Sequence, residues 1–149
     1  MLRLVLASLH LLGLGIGLGA VWARASALAG PLDAPAVRRV LAADTWWGVA
    51  ALLWLVTGLW RLLAGMEKTT GYYLSSHLFW TKMGLFVLIF ALELRPIGKF
   101  TRWRRQVASG GLPGTAGAAG IAATSRVQAV LVVAIVLAAT VMARGFGAP

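Results

Sequence analysis

Cysteine is absent from the 149 residues. That excludes disulfides, thiolate zinc sites, cysteine-ligated iron–sulfur clusters, covalent c-type haem attachment and a cysteine nucleophile. Acids are scarce: four Asp and Glu stand against 14 Lys and Arg, for a net charge of +10. There is no carboxylate pair, Ser-His-Asp arrangement, P-loop or dinucleotide fingerprint, so hydrolase and nucleotide chemistry have nothing to run on. Charge of either sign is sparse, at 12% of residues, while 60% are hydrophobic and the mean hydropathy is +0.84. A soluble globular protein carries about twice that share of charge. The composition is that of an integral membrane protein. Against a lipid background the basic excess reads as loop charge facing anionic headgroups, not as a nucleic-acid surface.

A spanning helix needs about 20 mostly apolar residues, because the hydrocarbon core is about 30 Å thick and each residue rises about 1.5 Å. Four runs qualify, at about 4–23, 45–66, 77–94 and 120–143. The expected fold is all-α, a four-transmembrane-helix bundle in one domain over residues 1–149, with a flexible linker at about 106–119. Arg3, the apolar run and Ala23-Arg24-Ala25 resemble a signal peptide, but the run is longer than an ordinary signal core and contains His10, so it is read as a span. The loops after the first and third spans hold Arg24, Arg38, Arg39, Arg95, Lys99, Arg102, Arg104, Arg105 and Arg126; the opposite side holds Arg3, Arg61, Lys68 and Arg144. The positive-inside rule then puts both loops in the cytoplasm and both termini in the periplasm of a bacterial inner membrane. Trp22, Trp46 and Trp47 fall at the inner interface and Trp60 at the outer one, and the run around Trp103 is expected to rest on the anionic leaflet.

Between Pro31 and Val40 a helix is expected to start, with Asp33 as cap and Pro35 in the first turn. Asp44 reads as an N-cap of the second span, and Glu93 with Arg95 as a boundary pair. The first span contains two G-x-x-x-G pairs, Gly13/Gly17 and Gly15/Gly19, on roughly opposite faces. Such a helix can be approached closely from both sides, which admits a homodimer, a partner in a membrane complex, or a flat ligand.

Ionisable groups at depth are functional hypotheses by default. His10 lies about 10 Å inside Arg3, and Lys82 about 7 Å inside His77, so the two reach similar depth in the outer half. Arg61, Glu67, Lys68 and His77 gather at the outer rim. This end suits something anionic. Structural alternatives are a pairing of Lys82 with Glu67 and a hydrogen bond from His10 to a neighbouring helix. His10 and His77 with Met66, Met83 and Met142 are one way to hold copper, for binding or transport.

The pattern Asp44, Gly48, Gly58, Arg61, Glu67-Lys68, Tyr72-Tyr73, Phe79-Trp80, Lys82, Phe86 and Pro96 resembles a family of bacterial four-helix inner-membrane proteins with a domain of unknown function. More distantly, His10 in the first span and Lys82 early in the third are similar to the functional histidine and lysine of the membrane haem-containing protoporphyrinogen oxidases. That resemblance implies haem b or a porphyrinogen in the bundle, with oxidoreductase chemistry. It implies His10 as metal ligand or proton acceptor, and Lys82 as propionate counter-ion or catalytic group. Lys82 and Arg61 would hold the propionates. One departure stands out: that family has a histidine two residues before its lysine, where this chain has Trp80.

Overall fold

A computed structural model describes residues 1–65 and 69–146. Among them are five helices and no strand: α1 (Leu2–Leu28), α2 (Ala34–Leu63), α3 (Thr70–Ser75), α4 (His77–Ala108) and α5 (Ala118–Ala143). Four are long and apolar enough to cross a membrane; α3 is a short turn of helix between the second and third. All-α with four candidate spans is therefore the architecture.

The helices outrun the apolar stretches that announce them. The 32 residues of α4 extend about 48 Å and the 30 of α2 about 45 Å, against about 30 Å of hydrocarbon. The Asp33 carboxylate accepts a hydrogen bond from the Ala36 N–H at 2.8 Å, with Pro35 in the first turn, as expected. The helix begun there is not a separate short one; it runs on into the second span. Asp44 is consequently in mid-helix and caps nothing. On α4 the helix continues through the buried Pro96, which leaves the Leu92 carbonyl without its usual donor. At the far end Gly117, at φ +78°, makes the left-handed turn into α5 that a side-chain-bearing residue rarely adopts. Lys99 Nζ donates to the Ala116 carbonyl beside that turn and lies 5.6 Å over the Trp103 ring.

Adjacent helices alternate in direction around the bundle. α1 packs along α2 and α5, and α5 along α4, whereas α2 and α4 meet only sparsely. α1 and α4 are diagonal, and their Cα atoms do not approach within 8 Å. Two apolar cores stack along the axis. One, near the basic loops, joins Leu28, Val37, Val40, Phe100, Trp103 and Ile121. The other, in the mid-bundle, joins Val21, Trp47, Ile89, Ala129, Val132 and Ile135.

Two interfacial assignments change as a result. Trp103 is only 2% exposed and packs in the first core, so the basic run does not lay its indole on a leaflet. The reason is helical spacing: Phe100, Trp103 and Val107 share the inner face while Arg102 and Arg105 point outward. Trp47 is likewise buried, against Gly17, while Trp22, Trp46 and Trp60 remain exposed.

The two glycine pairs of α1 part company. A Cβ on Gly13 would sit 3.4 Å from the Ala50 carbonyl oxygen and 3.5 Å from the Leu53 side chain, and one on Gly17 3.4 Å from the Ala50 Cβ. Neither Gly15 nor Gly19 has anything within 4 Å of that position. α2 therefore occupies one glycine face and leaves the other open. Gly13→Val is expected to drive α1 from α2 and cost about 1–3 kcal/mol, while Gly15→Val stays within about 0.5 kcal/mol. Unfolding of the purified protein in detergent measures both, and equal losses would contradict this division of faces.

Candidate functional site

His10 faces α2. Its Nδ1 is 2.9 Å from Thr57 Oγ1. The Thr57 hydroxyl already donates its one proton to the backbone, to the Leu53 carbonyl at 2.7 Å with the Trp54 carbonyl at 3.2 Å. It can therefore only accept from the imidazole, which places a proton on Nδ1 and the lone pair of the neutral ring on Nε2. Gly58 makes the approach feasible: a Cβ there would meet His10 Cε1 at 3.2 Å. The imidazole continues into an aromatic chain, with Trp54 at 5.6 Å and Phe86 a further 5.6 Å on. Phe86 lies one turn from Lys82 on α4, so the chain links the histidine's helix to the face that carries the lysine.

Lys82 is half-buried, with Nζ 5.5 Å over the Phe79 ring. Arg61 is half-buried in the last turn of α2, and His77 is exposed at the start of α4. Glu67, with its expected pairing to Lys82, and Met66 and Lys68 fall outside the described residues. Among the described residues no three His, Asp or Glu side chains gather to hold a metal ion. The Trp54 indole N–H is buried with no hydrogen-bond partner among the described residues. Beside it lies an apolar cavity of about 30 Å³ bounded by Gly13, Gly17, Trp47 and Phe86.

The densest polar chemistry lies at the other end, between the two apolar cores. Arg24, assigned by sequence to a loop, is inside α1 and 0% exposed. Its guanidinium forks onto Glu93, Nη1 to Oε1 at 2.6 Å and Nη2 to Oε2 at 2.8 Å. Nη1 also reaches Asp44 Oδ1 at 2.9 Å, Nη2 reaches Gln128 Oε1 at 2.8 Å, and Nε donates to Ser125 Oγ at 3.0 Å. Gln128 in turn donates to Glu93 Oε2 at 2.7 Å and to the Ile89 carbonyl at 3.2 Å. Arg104 closes the layer from outside, donating to Asp44 Oδ2 at 3.0 Å and to Thr45 Oγ1 at 2.9 Å. The faces of Trp47 and Phe100, one from each core, lie 5.8 and 5.6 Å from the Arg24 guanidinium carbon.

This layer overturns two expectations. Glu93 pairs with Arg24, not with Arg95, because it projects inward while Arg95, two residues on, faces out. Asp44 serves as a shared acceptor for Arg24 and Arg104. Two cations meet two anions, every donor on Arg24 has an acceptor, and all four long helices contribute. Gln128, alone among apolar neighbours in the fourth span, was the signal that sequence reasoning passed over; Thr57, level with His10, was another.

Residues 2–147 match the family described as a predicted membrane protein, DUF2214. The chain belongs to that family. Its description gives the membrane and no activity. No curated protein and no solved structure matches the chain. The comparisons give no support to a likeness to the membrane protoporphyrinogen oxidases.

Removing one partner from a buried ion pair strands the other charge, which costs about 3–5 kcal/mol. Arg24→Ala is expected to lose stability of that size in detergent unfolding. Arg126→Ala, an exposed cation on α5, should change it by less than about 0.5 kcal/mol. Similar values for the two would show that the layer does not hold the bundle.

Proposed function

We propose that the protein is a bacterial inner-membrane protein with both termini periplasmic, and that its working site is His10, serving a flat ring of the haem or porphyrin class. The orientation follows from charge: nine of the 14 Lys and Arg lie in the helices towards the end of the bundle that carries the α1–α2 and α4–α5 connections. The observation that carries the site is the Thr57 hydroxyl, which fixes His10 as an Nδ1–H donor and makes Nε2 the basic nitrogen. Ligating and proton-accepting histidines are commonly oriented by such a hydrogen bond on the other ring nitrogen.

The donor set fits a porphyrin: an oriented imidazole, aromatic surfaces on Trp54 and Phe86, and Lys82 and Arg61 as cations for carboxylates. The cavity beside Trp54 is far smaller than the several hundred Å³ of a typical cofactor site. Loading therefore requires helices to part, and of the long helices that are neighbours α2 and α4 meet least. When bound, the ring would supply redox chemistry of the oxidoreductase kind. The chain's own contributions are a proton-accepting or ligating Nε2, held in register by Thr57 and Gly58, and fixed positive charge at the rim.

An oxidised-minus-reduced absorption spectrum of protein expressed with haem available, with metal analysis on the same sample, tests this. A Soret band is expected, abolished in His10→Ala and shifted or weakened in Thr57→Val. A colourless protein, or a band indifferent to His10, would overturn the reading. Copper in a colourless sample would favour metal binding, and an empty one the role of a helical subunit in a larger membrane complex.

A further inference from the structure

A groove of about 800 Å³ runs along the outside of α1 and α2. Its floor is made of small residues, Gly19, Ala23 and Ala27 on α1 with Ala42 on α2; Trp46 stands on its wall and Arg39 at its mouth. Gly19 has no neighbour where a Cβ would lie, so packing within the chain does not use this space. The groove starts among lipid-facing residues, crosses the level of the exposed Trp22 and Trp46, and ends at the basic connections. It is apolar at depth and cationic at the headgroup level.

The charge at its mouth has no ion-pair partner among the described residues. Three acids accompany the basic connections, and each is engaged: Asp44 and Glu93 by Arg24 and Arg104, Asp33 by the first turn of α2. Arg39 is exposed and makes no ion pair with any described residue. Its guanidinium is open to an anion from outside the chain. We propose that this groove binds an anionic phospholipid, with an acyl chain along the Gly19–Ala27 face of α1 and the phosphate on the Arg39 guanidinium. A planar guanidinium suits two phosphate oxygens, and an indole beside it suits the glycerol level. A helix from a second copy would also satisfy the small-residue floor, and a dimer is the outcome that would reveal it.

The test is native mass spectrometry of the full chain, with phosphatidylglycerol and phosphatidylcholine of matched chains added in turn to the detergent micelles. One phosphatidylglycerol is expected to be retained per chain in preference to phosphatidylcholine. Arg39→Gln should weaken that retention about tenfold, the loss of one charge-assisted hydrogen-bonded contact, while Arg102→Gln leaves it unchanged. Gly19→Leu, which fills the groove from a position where a Cβ meets nothing within 4 Å, should displace the lipid from a protein that still unfolds at the wild-type temperature. Millimolar inorganic phosphate should not compete, since it lacks the chain. Equal retention of the two lipids, equal effects of the two arginine variants, displacement by phosphate alone, or a dimer that Gly19→Leu converts to monomer would each overturn the proposal.

Discussion

An arginine side chain taken out of water carries a desolvation cost of several kcal/mol, and only hydrogen-bonded counter-charges offset it. Arg24 is wholly buried, so its surroundings had to be built to suit it. The bidentate contact to Glu93 crosses the bundle between two helices whose backbones do not touch. Asp44 from α2 and Ser125 and Gln128 from α5 fill the remaining directions. These contacts are directional and short, so they define the axial register of all four helices at once. Sliding α4 by one turn would move Glu93 about 5 Å and leave both charges stranded. The aliphatic and aromatic layers on either side are more forgiving, because apolar contacts tolerate small shifts.

This layer also divides the molecule by depth. The exposed Trp22 and Trp46 and the outward Arg95 and Arg126 surround it, so the polar layer marks one boundary of the lipid-facing region. From Trp22 back to Arg3 is about 28 Å and from Arg126 to Arg144 about 27 Å, close to the hydrocarbon thickness. Beyond the layer, the helices continue as a four-helix cap with its own core around Phe100 and Trp103. The cap carries the basic surface, while Asp44 and Glu93 are committed inward. Fixed positive charge facing the headgroups follows from that commitment. The opposite half holds the oriented His10 and the Trp54 indole.

The spans were legible because lipid leaves little alternative: long apolar runs must be helices that satisfy their own backbone. Asp33 and Pro35 announced the start of α2 in the same local way. Helix length was less legible, since an apolar run measures contact with lipid and says nothing about a helix that continues on packing of its own. Charge was misread for a related reason. Arg24 and Glu93 looked like loop markers because a lone charge ends a span, yet their partners lie 20 to 104 residues away in the chain. Pairings of that kind depend on which helices are neighbours, which no local pattern contains. His10 was legible as unusual, but Thr57, the group that fixes its tautomer, is an ordinary residue in an ordinary span.

A double-mutant cycle on Arg24→Ala and Glu93→Ala, read by equilibrium unfolding in detergent, addresses the central claim most directly. If the guanidinium–carboxylate fork sets the register of the bundle, the double variant will be more stable than the sum of the two single losses by about 2 kcal/mol or more. A coupling energy within about 0.5 kcal/mol of zero, the range of independent sites, would show that the two side chains are not the joint on which the fold depends.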